Sequence, residues 1–78
     1  LSYVKVSKNR TAVIKTLENT PKMPRDIAKE TQINRNYVSN LLAQLKEKEL
    51  VKCLNPQDSK GRFYIITEDK GKLIIEYL

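Results

Sequence analysis

No histidine occurs in these 78 residues, and cysteine occurs once. Those two gaps exclude zinc fingers, Cys/His metal sensors and catalysis by Ser–His or Cys–His pairs. A single thiol cannot close an internal disulfide, and no metal or other cofactor is expected. Cys53 lies in a short apolar stretch, where a free thiol packs as a small hydrophobe and core packing is the expectation. A redox-sensing thiol would need an exposed, electropositive setting, and neighbouring Lys52 points to the other face of a strand. Paired carboxylates with a polar partner are missing, as is a Gly-rich phosphate loop, so no residue suits a catalytic role. No run of eighteen apolar residues is present to span a membrane, and no charged-then-apolar leader opens the chain. Leu1 in place of Met leaves room for a longer parent protein.

What is present is positive charge. Fifteen Lys and Arg face nine Asp and Glu, a net +6, and the pI is near 9.6. A single domain this small and this basic points to a polyanionic partner, nucleic acid first.

The chain opens with a weak alternation over residues 1–6, either a short strand or an extended arm. Ser7 then reads as an N-cap for a helix over about 7–19, with Val13, Ile14 and Leu17 on its buried side, stopped by Thr20-Pro21. Met23 is expected as a short strand or buried anchor, and Pro24 suits the first turn of a second helix. Ile27, Ala28 and Thr31 share a face of that helix. A three-residue connection, Gln32 to Asn34, leads into a longer helix over about 34–48. There Val38, Leu41, Leu42 and Leu45 recur at helical spacing, so the opposite face carries Asn36, Asn40, Ala43 and Glu47, flanked by Ser39 and Gln44. Val51 to Leu54 and Phe63 to Thr67 read as two strands joined by NPQDSKGR at 55–62, a stretch dense in turn formers. Thr67 should cap a final helix with Glu68 and Asp69 in its first turn and Leu73, Ile74 and Tyr77 on its inner face.

A short helix, a tight turn and a longer amphipathic helix form a helix-turn-helix pattern. A two-stranded hairpin is marginal alone and needs a helical layer beneath it. The order predicts an α+β, mostly α, fold: a winged helix-turn-helix with a three-helix core, a two-stranded hairpin as wing and a C-terminal helix, in one domain over 1–78.

Residues 25–73 carry a likeness that agrees. DIAKETQINRNYVSNLLAQLKEKELV and GRFYIITEDKGK resemble the winged helix-turn-helix transcription regulators of the MarR/ArsR type, in their short archaeal versions. In that pattern the wing returns through an aromatic residue and a threonine into a last helix that contains glycine. The resemblance implies a DNA-binding regulator. Two positions depart from it: Gln32 and Glu49 stand where glycine is frequent. Either they take a left-handed conformation, at a cost of about 1–2 kcal/mol, or the turns differ. The family's metal sensing does not carry over without Cys or His clusters.

On this reading Asn34, Arg35, Asn36, Tyr37, Ser39, Asn40 and Gln44 face the major groove. Asn36 and Asn40, one turn apart, suit adenine N6 and N7, and Arg35 suits guanine or a phosphate from nearer the rim, with Tyr37. Asn and Ser are mediocre helix formers, which base contact would explain. Glu47 on the same meridian would repel phosphate, so the helix should enter by its N-terminus. Lys60, Gly61 and Arg62 at the wing tip suit the minor groove or backbone. Lys22 and Arg25 are expected to hold phosphates, with Lys8, Asn9 and Arg10 in weaker support; Lys46 and Lys48 read as a solvated face. Ile75, Leu78 and Tyr3 add apolar surface, either core or the seam of a homodimer formed by the C-terminal helix and N-terminal segment. The partner expected is double-stranded DNA, with no membrane, in a prokaryotic cytoplasm at the nucleoid. The alternative is a winged-helix protein–protein module of transcription or DNA-processing machinery. DNA binding requires Arg25, Arg35, Lys60 and Arg62 on one surface; a protein module would show an apolar patch there.

Overall fold

Ser7 starts the first helix by accepting a hydrogen bond from the Arg10 amide at 3.2 Å. The computed structural model describes residues 7–77, so the strand or arm expected at 1–6, and the seam residues Tyr3 and Leu78, lie outside the described residues, as does the Tyr77 side chain. Those described form α1 (Lys8–Thr16), α2 (Pro24–Thr31), α3 (Arg35–Glu47), β1 (Val51–Cys53), β2 (Tyr64–Ile66) and α4 (Lys70–Tyr77). The strands pair antiparallel with Val51 opposite Ile66 and Cys53 opposite Tyr64.

Helix α1 stops before Pro21 could stop it. Its last carbonyl, on Thr16, accepts from Lys22 Nζ at 2.6 Å, a cation at a helix C-terminus where the dipole favours one. The lysine reaches back because its own backbone is anchored. Lys22 N donates to Tyr64 O at 3.0 Å and Lys22 O accepts from Tyr64 N at 2.8 Å. The small strand expected at Met23 is therefore a bridge one residue earlier, and Met23 is the half-buried N-cap of α2.

The helix-turn-helix connection follows the left-handed alternative. Gln32 has φ 61 and ψ 24, while Thr31 Oγ1 donates to Ile27 O at 2.7 Å. Glu49 does the same after α3, with φ 62. There the Leu50 amide reaches Leu45 O at 3.0 Å and the Glu49 amide reaches Lys46 O at 2.9 Å, a Schellman closure built without glycine. The side chain of Gln32 is exposed, so Gln32→Gly removes strain without removing packing. Relief of about 1–2 kcal/mol exceeds the added unfolded-chain entropy of about 0.4–1 kcal/mol. The variant should gain about 0.5–1 kcal/mol in a denaturant titration; a lower midpoint would show that the turn depends on the glutamine.

The core gathers Val13, Ile14 and Leu17 from α1 and its cap, Ile27 from α2, and the expected stripe of Val38, Leu41, Leu42 and Leu45 from α3. Leu50, Val51, Ile66 and Ile74 close it. Cys53 was expected among them and is only half-buried, its Sγ 3.8 Å from Asn55 Oδ1.

The C-terminal helix departs most from expectation. It begins at Lys70, so Glu68 and Asp69 precede its first turn. Thr67 still joins the elements: its hydroxyl donates to Glu49 O at 2.9 Å and accepts from the Gly71 amide at 2.8 Å. Asp69 takes the Lys70 amide at 2.7 Å, and that bond holds its carboxyl below the ordinary value. Lys70 Nζ lies 2.7 Å from Glu49 Oε2, a bond that raises the lysine's pKa. Leu73, expected inside, is 56% exposed, whereas Ile74 is buried and Ile75 half-buried against the core. The helix approaches through Gly71, and at about 100° per residue 71, 74 and 75 share one face with 73 nearly opposite.

Candidate nucleic-acid interface

Helix α3 presents three exposed strips. Asn34 Oδ1 accepts from the amides of Asn36 at 2.8 Å and Tyr37 at 3.4 Å, which fixes the helix start and commits that side chain to capping. From there the helical repeat puts Arg35, Ser39 and Ala43 toward the wing, Asn36, Asn40 and Glu47 along the crest, and Tyr37 and Gln44 on the far side. Gln44 is engaged on that side: its Oε1 accepts from Arg10 Nη2 of α1 at 3.2 Å.

Between the first strip and the wing runs an open groove of about 630 Å³. Arg35, Ser39 and Ala43 form one wall. Ser59, Lys60, Gly61 and Arg62 form the other, and Met23, Pro24, Arg25 and Tyr64 lie along it. Four cationic side chains from three separate segments thus share one surface. The start of α2 lies beside this groove: Met23 makes no side-chain cap, Pro24 has no amide hydrogen to satisfy, and the Asp26 and Ile27 amides both reach Met23 O at 3.0 Å.

The wing is internally tied. Arg62 donates from Nε to Asp58 O and from Nη2 to Pro56 O at 3.2 Å. Gly61 has φ +66, a conformation that favours glycine. Arg62 therefore both lines the groove and braces the loop.

The expected site residues divide accordingly. Arg25, Arg35, Ser39, Lys60, Gly61 and Arg62 meet at the groove. Asn36, Tyr37 and Asn40 are exposed on α3. Lys22 does not join them: its ammonium is spent on Thr16 O and, at 3.2 Å, on Glu30. Its ammonium thus ties the end of α1 to α2. Ser59, Tyr64 and the bracing residue Asn55 were not singled out in sequence. Asn55-Pro56 opening a turn-rich stretch was the available signal for Asn55; for the other two there was none.

No protein-family model and no curated protein sequence matches the chain. Solved structures do. Reduced HlyU from Vibrio cholerae superposes with a TM-score of 0.82 at 18% identity, over 99% of this chain and 79% of that one. Mb0332 from Mycobacterium bovis, described as a homodimeric winged helix-turn-helix DNA-binding domain (fragment 1–100) and a possible ArsR-family transcriptional regulator, gives 0.81 at 22% identity, over 97% and 69%. The fold is a winged helix-turn-helix. A third winged-helix neighbour, the C30AH42A mutant of ZitR from Lactococcus lactis, gives 0.78 at 22% identity over 91% of this chain, which spans about half, 49%, of the ZitR chain. The winged helix read from element order is borne out, with α3 as its second helix-turn-helix element and residues 55–62 as its wing.

Proposed function

We propose that this chain is a sequence-specific double-stranded DNA-binding transcription regulator, with α3 in the major groove and the wing on the adjacent minor groove or backbone. The observation that carries the reading is the convergence of Arg25, Arg35, Lys60 and Arg62 on one groove beside an exposed Asn/Ser face. Cations placed so hold phosphates, and the amides on the crest are suited to base edges. The description of Mb0332 as a DNA-binding domain supports it. Such a partner places the protein at the nucleoid of a prokaryotic cytoplasm. Among the described residues, no helix is long and apolar enough to cross a membrane. The deciding experiment is a salt titration of binding to random-sequence duplex: a steep fall of log affinity with log salt supports the reading, and no binding at low salt defeats it.

A homodimer through α4 and the N-terminal segment completes this reading, since a pair of domains would span two half-sites. Leu73 is 56% exposed beside Leu50 and Ile74, around an apolar hollow of about 210 Å³ that Lys70 also lines. Mb0332 is described as homodimeric, which supports it further. Leu73→Glu should halve the mass measured by light scattering while leaving the helical signal intact. A wild-type protein that is monomeric at high concentration would end the dimer proposal.

The protein-contact alternative has one observation in its favour. Leu54 and Phe63, 50% and 41% exposed, lie side by side at the base of the wing. That pair is not among the groove's lining residues, so it does not replace the cationic surface.

A further inference from the structure

Asn55 stands at the exit of β1 and its side chain spans the wing. Its Oδ1 accepts from the Phe63 amide at 2.8 Å and lies 3.8 Å from Cys53 Sγ. Its Nδ2 donates to Asp58 Oδ2 at 2.9 Å and to Gly61 O at 3.0 Å. Both ends of the amide are thus committed to the loop, and they tie its start, middle and return to one point. The loop has little else to hold it: residues 56–62 are all exposed, so no apolar burial fixes their path. Arg62 braces the same loop, and its anchors, Pro56 O and Asp58 O, lie in the segment that Asn55 shapes.

We propose that Asn55 is a positioning residue for DNA binding, holding the wing so that Lys60 and Arg62 already face α3 before DNA arrives. The inference rests on the DNA-binding reading above. Asn55 need not touch DNA. Its effect comes from order: a wing preset in its bound shape does not lose conformational freedom on association, whereas a loose one does. The chemistry also explains why an amide is needed. A carboxylate at 55 would keep the acceptor for Phe63 but lose both donors, and would set a second negative charge against Asp58.

Three variants and two readouts test this. Asn55→Ala removes every side-chain bond and leaves the backbone bond from the Asp58 amide to the carbonyl of residue 55. Asn55→Asp removes the donors and adds charge repulsion. The exchanged pair Asn55→Asp with Asp58→Asn restores the 55–58 bond with donor and acceptor reversed and returns the wild-type net charge, so simple electrostatics is controlled. Amide hydrogen exchange of Phe63 is read on free protein, and affinity for duplex DNA is read in parallel. Asn55→Ala should speed Phe63 exchange most and Asn55→Asp, which keeps the acceptor, less; each should weaken DNA binding by about tenfold, with little change in the thermal midpoint because the core is untouched. The exchanged pair, which regains the 55–58 bond but not the donor to Gly61 O, should recover part of both. Unchanged exchange in Asn55→Ala would overturn the bracing role. Faster exchange with wild-type DNA affinity would overturn the positioning role. If the wild type binds no duplex, the DNA reading fails and this role with it, while the exchange data, taken without DNA, still decide whether Asn55 orders the wing.

Discussion

Gly71→Ala should lower the unfolding free energy by about 2–3 kcal/mol, the upper part of the overpacking range. Helix propensity alone predicts the reverse sign, since alanine in a helix is worth about 1 kcal/mol more than glycine. Packing decides against propensity. A Cβ at Gly71 would sit 2.5 Å from Leu50 O and 3.0 Å from both Ile66 Cβ and Thr67 Oγ1. The nearest of these is backbone, and it is held: Leu50 O accepts from the Thr67 amide at 3.0 Å, in the joint between α3 and the hairpin. It cannot swing aside as a side chain would, so α4 must lift off Ile66 or the joint must open. Either path strips burial from Ile74. At roughly 4–8 °C per kcal/mol for a domain of this size, the thermal midpoint followed by circular dichroism should fall by about 10–20 °C. An unchanged or raised midpoint would mean that α4 slides freely and does not dock through its glycine.

Replacing Arg25, Arg35 and Lys60 together by Ala should weaken binding to duplex DNA by about a hundredfold near 0.1 M salt, with the slope of log affinity on log salt shallower by about three units, one per lost phosphate contact. Arg62 is left in place because its removal would also free the wing. The chosen three carry little structure. Among the described residues, Arg25 makes one long ion pair, Nε to Asp26 Oδ1 at 3.9 Å, with side chains 67% and 45% exposed, and such surface pairs contribute little to stability. The variant should therefore melt like the wild type. A hundredfold loss with an unchanged slope would place the contacts on bases; no loss at all would take the cationic groove out of the DNA interface.

Periodicity was enough to find the core of α3, since Val38, Leu41, Leu42 and Leu45 follow one face and nothing nearby competes for it. It failed at α4, where the docking residue is the one with no side chain: hydrophobicity pointed to Leu73, and the absence of a Cβ at Gly71 turned the helix so that Ile74 and Ile75 face in. The end of α1 is not legible locally: its last carbonyl is taken by a lysine six positions on, whose backbone is bridged to Tyr64 far along the chain. The candidate site shows the same division. Residue type marked the basic groove walls, Arg25, Arg35, Lys60 and Arg62, in advance. Which cations were already spent, Lys22 on Thr16 and Glu30 and Arg62 partly on the wing, depends on contacts between segments that no local pattern carries.

The backbone bridge from Lys22 to Tyr64 also bears on the order in which the molecule assembles. The α1–α2 and α2–α3 pairs join neighbours in sequence and can pack as soon as their helices form. The bridge must close a far longer loop, an entropic cost of about 3 kcal/mol by simple chain statistics, and it returns only two hydrogen bonds directly. Contacts of that kind form late and open early. The wing should therefore join a three-helix body that is already in place, and partial opening should begin at the same seam. Breathing there would widen the groove and leave the helical body folded, a hinge that comes from connectivity alone.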